Sequence, residues 1–333
     1  YEIGSGLVGS EMCIRDSYNS KEYIRAAVDS MLNQTYENLE VILVDDGSTD
    51  GSESICDEYR EKDHRVVVIH QKNQGQAAAR NAAYRISRGE YIVYADSDDL
   101  MHREQIRYML QIQEATGVDI VHVENKKFWD AGRIADELEA GVGEPDYTVY
   151  TAERALELLC YQKKFSFGPW CKLIKRELLA DLKFPVNMGY EDAAIMYKLY
   201  GKAEKLAYSE TVLYWYRQHT ASTMHTGFSD KKIDRIRIMA ELREYLNREY
   251  PALAPAGETR YCLAQLQLLM ELPFGKEYRD IKKQAYRNIK DSRKAVLANK
   301  QAPARIRGMV ASSYLGPDIL MLLGRLYMVV TRR

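Results

Sequence analysis

Short apolar runs alternate with amphipathic segments over the first 125 residues of the chain. Four runs are almost continuously apolar, which is typical of strands buried on both faces, and they predict strands at 39–44, 66–70, 91–95 and 118–123. Between them apolar residues recur every three or four positions, which predicts helices at 20–32, 52–62, 76–88 and 102–115. Regular alternation of strand and helix predicts the α/β class, with a mostly parallel, Rossmann-like sheet flanked by helices.

The pattern becomes less regular after the fourth strand. A charged, glycine-containing stretch predicts a loop over 130–147, and helical periodicity returns at 152–161 and 190–200. The aromatic stretch 165–174 predicts an edge strand. Alternation over 206–216 predicts two strands joined by a turn near the middle of that range.

The C-terminal hundred residues have the pattern of a helical extension. Helical periodicity, interrupted by prolines, predicts helices at 231–249, 258–271, 276–297 and 317–330. The last helix is strongly apolar over about twelve residues, whereas about 20 are needed to span a bilayer. Arg325 also interrupts the run. Two interpretations remain open: the helix packs back on the domain, or it lies on a membrane surface.

Charge is distributed unevenly along a chain whose net charge is −1. Residues 276–333 contain 14 Lys and Arg and 4 Asp and Glu, a net of +10, so the first 275 residues carry −11. We therefore expect the acidic part not to bind nucleic acid, and the basic tail to suit peripheral contact with the anionic inner membrane. The five cysteines are scattered without zinc-type spacing, which indicates free thiols in a reducing cytoplasm.

The first seventeen residues differ from the rest of the chain. They include no initiator Met and no apolar run of signal-peptide length, and we interpret 1–17 as a foreign segment. A central strand is expected immediately before Tyr18, yet residues 9–17 alternate poorly and carry three charges. We therefore predict that residues 1 to about 16 are poorly ordered or badly packed.

Carboxylates follow two of the predicted strands. Asp96, Asp98 and Asp99 come directly after the strand at 91–95, and Asp45 and Asp46 come after the strand at 39–44. Carboxyl ends of parallel strands meet at one edge of a sheet, where ligands bind. Carboxylates this close repel one another unless a hard cation such as Mg²⁺ or Mn²⁺ neutralises them. The alternative is that both clusters are acidic turns that cap the following helices.

Four motifs, in order, resemble those of family 2 glycosyltransferases of the GT-A fold, over residues 18 to 220. They are YNSKEYIRAAVDSMLNQTYENLEVILVDDGSTDGS, NQGQAAARNAA, GEYIVYADSDD and GYEDAAI. The resemblance is greatest to the bacterial enzymes that build capsule, exopolysaccharide and other surface glycans. It implies a nucleotide-sugar-binding half at 18–125, an acceptor-binding half at 126–225 and a helical C-terminal region at 226–333.

The resemblance assigns donor-binding roles to Tyr18, Asp45, Asp46, Asn73, Gly75, Arg80, Asp96 and Arg217. Tyr18 matches an aromatic residue near the base. One carboxylate of the Asp45–Asp46 pair accepts a hydrogen bond from the uracil imide, which favours uridine. Arg80 is suited to a phosphate contact, and the alternative for it is a surface ion pair.

A divalent metal, Mn²⁺ or Mg²⁺, is also implied, with Asp96, Asp98, Asp99 and His219 as candidate ligands. Asp98 is the first choice, because Asp96 is better suited to the ribose or a metal-bound water, and Asp99 to either task. His219 follows a predicted strand, and a lone histidine in that place is more often structural. The metal offsets charge on the departing UDP.

The resemblance further implies that Asp192 is the catalytic base and that Glu191 supports it or contacts the acceptor. An inverting transfer needs one carboxylate to take the proton of the attacking hydroxyl. The alternative is an acidic first turn that complements a helix dipole. Trp170 and Lys172 match the acceptor region, although a tryptophan is as often a core residue.

Taken together, the residues and the resemblance predict a cytoplasmic, metal-dependent, inverting glycosyltransferase. Its donor is a UDP-sugar and its acceptor a glycan or polyprenyl-linked hydroxyl. A nucleotidyltransferase would use the same carboxylates but release pyrophosphate, and a non-catalytic glycosyltransferase-like scaffold would turn over nothing. A dinucleotide oxidoreductase is disfavoured because no G-x-G-x-x-G follows a predicted strand.

Overall fold

The computed structural model describes residues 10–14, 18–218, 231–273 and 275–331, and it describes side chains within 18–218, 231–273 and 275–324. The chain divides into two compact units. The first comprises Tyr1–Ala155, Phe165–Asn187 and Ile195–Ser222, and the second comprises Leu156–Lys164, Met188–Ala194 and Thr223–Arg333.

The first unit is built on a nine-stranded sheet of order β3-β2-β1-β4-β8-β6-β9-β5, with β7 paired to β9. Its strands are β1 Ser10–Ile14, β2 Leu39–Asp45, β3 Val66–His70, β4 Tyr91–Ala95, β5 Leu100–Met101, β6 Ile120–Phe128, β7 Thr148–Thr151, β8 Lys172–Lys175 and β9 Lys205–Arg217. Strands β3, β2, β1 and β4 are parallel to one another. The sheet is mixed beyond β4, because β8 is antiparallel to both of its neighbours while β6 and β9 are parallel.

Helices alternate with the parallel strands, as the pattern predicts, and further helices follow later strands. They are α1 Ile24–Leu32, α2 Ser52–Lys62, α3 Gln76–Ile86, α4 Gln105–Thr116, α5 Ala135–Glu139, α6 Ala152–Cys160 and α7 Glu191–Lys202. Helix α1 buries Ile24, Ala27, Val28 and Met31, which is the i, i+3, i+4, i+7 stripe of an amphipathic helix. This stripe packs with fully buried residues of β2 and β4 in the main core.

The second unit is helical, and its helices after residue 230 surround one buried helix. These are α8 Lys231–Glu249, α9 Ala254–Glu271, α10 Arg279–Ala298, α11 Ala304–Ser312 and α12 Pro317–Thr331. Helix α9 is buried on almost all sides, and α8, α10, α11 and α12 all pack against it. No helix among the described residues is both long enough and apolar enough to cross a membrane.

The structure confirms the α/β class, but three predicted elements were wrong. The stretch 130–147, predicted to be a loop, contains the short helix α5 Ala135–Glu139. Residues 165–174 do not form an edge strand, because only 172–175 are extended, as β8, and β8 lies inside the sheet between β4 and β6. Residues 206–216 form one strand, not two. The polar Ser209-Glu210 pair lies in a β-bulge, where the register against β6 shifts between His122 and Glu124. Ser209 is buried there and bonds to Tyr108, so it does not break the strand.

Strand β1 occupies the central position between β2 and β4 that the fold requires of its first strand. Ile14 pairs in register with Leu43 of β2 and Ala95 of β4. The packing of residues 1–17 falls outside the described side chains, so the expectation of poor packing there stays a prediction.

Candidate active site

Three carboxylates converge in the turn between β4 and β5. Asp96, Asp98 and Asp99 each place an oxygen within 4.8 Å of the others. Asp96 and Asp99 are buried, and Asp98 is half-buried. Ala95, the last residue of β4, pairs with Ile14 of β1, and Ile14 pairs with Leu43 near the end of β2. The turn after β4 therefore begins beside the end of β2. The two acidic motifs thus lie at the same edge of the sheet, as the sequence predicts.

The long strand β9 holds this turn in place. The Tyr214 hydroxyl donates to Asp99 Oδ2 at 2.7 Å and accepts from the Asp96 backbone N–H at 3.0 Å. The Arg217 backbone N–H donates to Asp99 Oδ1 at 2.7 Å, and its Nε donates to the Asp98 carbonyl at 2.6 Å. Both oxygens of Asp99 therefore accept hydrogen bonds from β9, whereas Asp98 is the least buried of the three carboxylates.

Electrostatics in the turn favour a bound cation. Burial, and then the charges of Asp96 and Asp98, raise the pKa of Asp99 well above its usual range, even though Tyr214 and Arg217 donate hydrogen bonds to it. Carboxylate oxygens are the ligands that Mg²⁺ and Mn²⁺ prefer, and a divalent ion would relieve the repulsion. The donor set therefore fits such an ion, with Asp98 and Asp96 as ligands and Asp99 close by.

Two arginines lie beside the acidic turn. The Arg217 guanidinium is buried between the rings of Tyr23 and Phe128, 4.8 and 4.4 Å from their centroids. Arg80 is only 1% exposed, and its Nη2 lies 3.8 Å from Asp96 Oδ1. The alternative of a surface ion pair for Arg80 was wrong, because the residue is in the interior.

Asp46 organises the loop after β3. Its carboxylate accepts from Gln71 Nε2 at 2.7 Å and from the backbone N–H groups of Gln74 and Gly75 at 2.9 and 2.7 Å. Gly47 lets this loop approach, because its φ is +75° and a Cβ there would lie 3.0 Å from the Asn73 backbone nitrogen. Asp46 and Gly75, both predicted to bind the sugar donor, are therefore joined by a hydrogen bond, and the backbone of Asn73 lies close to Gly47.

Asp45 binds locally rather than capping a helix. Its Oδ1 accepts from the Ser48 N–H at 3.1 Å, and its Oδ2 lies 3.2 Å from His70 Nδ1. Helix α2 begins only at Ser52, after Gly51, so neither Asp45 nor Asp46 caps it. The capping alternative was wrong for this motif.

The loop before α1 joins both acidic motifs through hydroxyl groups and one amide. The Asn19 N–H donates to Ser48 Oγ at 3.2 Å, and Asn19 Oδ1 accepts from the Thr49 N–H at 2.9 Å. Ser20 Oγ lies 3.0 Å from Ser97 Oγ, inside the acidic turn. Tyr18, at the start of this loop, is 47% exposed, so its ring is accessible to a ligand.

The predicted acceptor residues Trp170 and Lys172 have structural contacts. Lys172 is fully buried, and its Nζ donates to Ser166 Oγ at 3.2 Å and to the carbonyls of Gly168 and Trp170 at 2.5 and 3.3 Å. The Trp170 ring stacks on Tyr214, with 5.7 Å between centroids. Trp170 therefore supports the tyrosine that holds Asp99, and acceptor binding by these two residues stays a prediction.

Glu191 and Asp192 form the first turn of α7, in the second unit. Glu191 is buried and Asp192 is half-buried. The approach to this turn is fixed within the unit, because the Gly189 N–H donates to Asp234 Oδ2 at 2.9 Å and the Tyr190 ring lies 5.2 Å from the Arg235 guanidinium. An acidic first turn complements the dipole of α7, as the alternative expects, and the catalytic role of Asp192 stays a prediction. His219 lies outside the described residues.

Tyr214 and the Ser20–Ser97 hydroxyl pair are site features that the sequence did not indicate. A tyrosine in an alternating strand carries no local sign that its hydroxyl reaches a turn 115 residues earlier. The aromatic content of β9 predicted a strand and nothing more.

Comparison with known proteins assigns the chain to a family. The family model described as glycosyl transferase family 2 matches residues 14–182, about half of the chain. The chain is 35% identical over 220 residues to the glycosyltransferase GlyG of Streptococcus pneumoniae, which covers 63% of this chain and 71% of GlyG. It is 34% identical over 210 residues to EpsH of Bacillus subtilis, which covers 62% of this chain and 60% of EpsH.

A solved structure shows the same fold over nearly the whole chain. Residues 1–349 of TarS from S. aureus, in complex with UDP-GlcNAc, superpose with a TM-score of 0.65. The superposition covers 97% of this chain and 92% of that one, at 19% identity. This similarity includes the helical C-terminal region as well as the sheet.

Proposed function

This chain belongs to glycosyl transferase family 2, and we propose that it moves a sugar from a UDP-sugar to a hydroxyl of a glycan or polyprenyl-linked acceptor in bacterial cell-surface polysaccharide synthesis. The observation that carries the proposal is the acidic turn of Asp96, Asp98 and Asp99 at the carboxyl end of β4. This is the edge of an open α/β sheet at which ligands bind.

For the donor, we propose that the diphosphate is held at the acidic turn through a divalent metal, with Asp98 as the first ligand and Asp96 beside it. Bound there, Mg²⁺ or Mn²⁺ would offset the negative charge that builds on the departing UDP. Arg80 and Arg217 supply fixed positive charge near the same carboxylates. Neither side chain needs to be ordered on binding, because both are already buried among aromatic rings.

For the nucleobase of the donor, two features support uracil. The related fold of TarS is seen with UDP-GlcNAc bound. In this chain, the loops that begin with Tyr18 and with Asp45 are joined by hydrogen bonds through Asn19. Both carboxylates of the Asp45–Asp46 pair already have hydrogen-bond partners within the protein, and we assign the uracil contact to one of them and stacking to Tyr18.

For the chemical step, we propose that Asp192 takes the proton of the acceptor hydroxyl. The acceptor oxygen forms its bond to the anomeric carbon as the bond from that carbon to the diphosphate oxygen breaks, so the configuration inverts and UDP leaves. Glu191, buried next to Asp192 at the start of α7, supports the base.

A cytoplasmic location is part of the proposal. The four cysteines that the structure describes, Cys56, Cys160, Cys171 and Cys262, are buried free thiols, as suits a reducing compartment.

A donor screen tests the proposed function. The chain would be incubated with a panel of UDP- and GDP-sugars and lipid-linked acceptors, with Mn²⁺ or with EDTA, and released nucleotide would be measured. We expect UDP release from one UDP-sugar only when metal and acceptor are present. In parallel incubations with UTP or GTP and sugar 1-phosphates, release of pyrophosphate would instead identify a nucleotidyltransferase, and no release from any substrate would identify a scaffold.

A further inference from the structure

The turn before α12 and the first half of that helix expose an apolar surface. Its members are large side chains between 42% and 66% exposed: Tyr314, Leu315, Ile319, Leu322 and Leu323. The last three follow the i, i+3, i+4 spacing, so they form one stripe along the helix. We call these five residues the apolar surface.

The opposite face of α12 is already packed. Leu320 and Met321 are buried in the core of the helical unit. Gly324 allows close contact with α9, because a Cβ at this position would run into the Met270 side chain. The helix does pack back on the domain, as one interpretation of the sequence expected, and it does so with a face that excludes the apolar surface.

A basic helix borders the apolar surface. Helix α10 carries seven Lys and Arg residues and two Asp residues. The Arg293 guanidinium lies 3.9 Å from the centroid of the Tyr314 ring and donates to the Ser313 carbonyl at 3.0 Å. Lys282 donates to Asp318, which is the only charged residue between Tyr314 and Gly324. Helix α10 thus contacts the start of the turn at Ser313 and Tyr314 and the first turn of α12 at Asp318.

We propose that the apolar surface and the cations of α10 together dock on the surface of an anionic lipid bilayer. A bilayer offers both partners at once, because acyl chains accept the leucine side chains while anionic headgroups pair with the basic helix. A second copy of the chain fits less well, since it would bring two α10 helices of the same charge together.

Vesicle binding tests the proposal on the full chain. Binding would be measured by flotation with vesicles of phosphatidylcholine alone and of phosphatidylcholine with phosphatidylglycerol. We expect at least about tenfold tighter binding to the anionic vesicles. Most of that difference should be lost in 1 M salt, where the Debye length is only about 3 Å. Equal binding to both vesicles, or binding to neither, would overturn the proposal.

Two variants separate the apolar and electrostatic contributions. The double variant Leu322→Ser with Leu323→Ser should weaken anionic-vesicle binding by about tenfold or more. In the variant, no leucine side chains at these positions transfer from water into the bilayer. Lys290→Gln with Lys294→Gln, both exposed on α10, should weaken it without changing the apolar surface. The matched control is Val149→Ser with Val186→Ser, which removes two exposed apolar side chains from the first unit and should change nothing.

The mass of the free chain in solution decides between the bilayer and a second copy. Light scattering should give the same mass for the parent chain and for the Leu322→Ser, Leu323→Ser variant. A parent dimer that this variant converts to monomer would show that a second copy covers the apolar surface, and the proposal would be wrong. Unchanged UDP binding by the variant would show that the first unit is intact.

Discussion

The hydroxyl of Tyr214 donates a hydrogen bond to Oδ2 of Asp99 at 2.7 Å, across 115 residues of sequence. The hydroxyl oxygen of Tyr214 also accepts a hydrogen bond from the Asp96 N–H, so one phenol holds both ends of the acidic turn. Trp170 stacks against the ring and completes its surroundings. The geometry of the carboxylates thus depends on β9, which supplies no metal ligand among its described residues.

Tyr214→Phe should therefore loosen the acidic turn. The substitution keeps the ring but leaves the Asp96 N–H and Asp99 Oδ2 without their partner, at a cost of about 1–3 kcal/mol in the free energy of unfolding. It should also weaken metal-dependent UDP binding several-fold. Denaturant unfolding and calorimetry measure the two effects. Tyr216→Phe, whose ring also stacks on Trp170, is the matched control and should leave the metal dependence as it is.

Asp46→Asn tests the loop at 71–75. One carboxylate oxygen is replaced by an NH2 group, which cannot accept a hydrogen bond from an N–H. The hydrogen bonds from Gln71, Gln74 and Gly75 therefore cannot all survive. We expect a loss of about 1–3 kcal/mol in the free energy of unfolding, together with weaker UDP binding. Asp57→Asn removes a partly exposed carboxylate and should cost less than about 1 kcal/mol. Equal losses from both substitutions would contradict the assigned role of Asp46.

The free energy of unfolding should depend on pH in part through His122. Burial, followed by the charge of Lys172, lowers the pKa of His122 well below its usual range. The folded state keeps this ring neutral, whereas the unfolded state binds a proton below about pH 6.5. The free energy of unfolding should therefore fall as pH drops below about 6.5, by up to about 1.4 kcal/mol per pH unit. His122→Gln should reduce that slope, and an unchanged slope would contradict the prediction.

His70 should have the opposite effect. Burial opposes its charged form, but hydrogen bonds to Asp57 and Asp45 outweigh burial and raise its pKa. Its contribution is fully present below the unfolded pKa and is lost as pH rises through the folded value. His70→Gln should therefore destabilise the protein at pH 5.5 and have little effect at pH 8, as measured by urea unfolding at both pH values.

Asp192→Asn tests the proposed base. The amide is nearly isosteric with the carboxylate but cannot accept a proton, so turnover should fall by about 100-fold or more while UDP affinity stays nearly the same. Asp181→Asn, a similar change at an exposed residue that pairs with α7 through Lys202, should keep full activity. Near-complete activity of the Asp192 variant would place the base elsewhere.

Local patterns predicted local structure well in this chain. Strands β3 and β4 begin and end where the sequence predicts. The burial expected of both holds for β4, which is buried at every position, whereas β3 lies at the end of the strand order and buries only Val66 fully. Strand β9 was predicted in two pieces because Ser209 and Glu210 have the composition of a turn. Their accommodation depends on Tyr108 and on the register with β6, neither of which is close in sequence.

Contacts between residues that are distant in sequence also limited the prediction of the site. The acidic motifs could be predicted, since each follows its own strand directly. The role of Lys172 could not, because its burial against Ser166, Gly168 and Trp170 is set by the position of β8 inside the sheet. Tyr214 could not be predicted for a similar reason, because its partners Asp96 and Asp99 lie in a turn more than 100 residues earlier.

Calorimetry of UDP binding with and without Mn²⁺ tests the central claim most directly. The parent chain should bind UDP at least about tenfold more weakly in EDTA, because the carboxylates of the acidic turn repel the diphosphate when no cation is bound. Asp98→Ala should lose most of this metal dependence, whereas Asp57→Ala should keep it. Equal UDP affinity of the parent chain with and without metal, or full metal dependence in Asp98→Ala, would contradict the account.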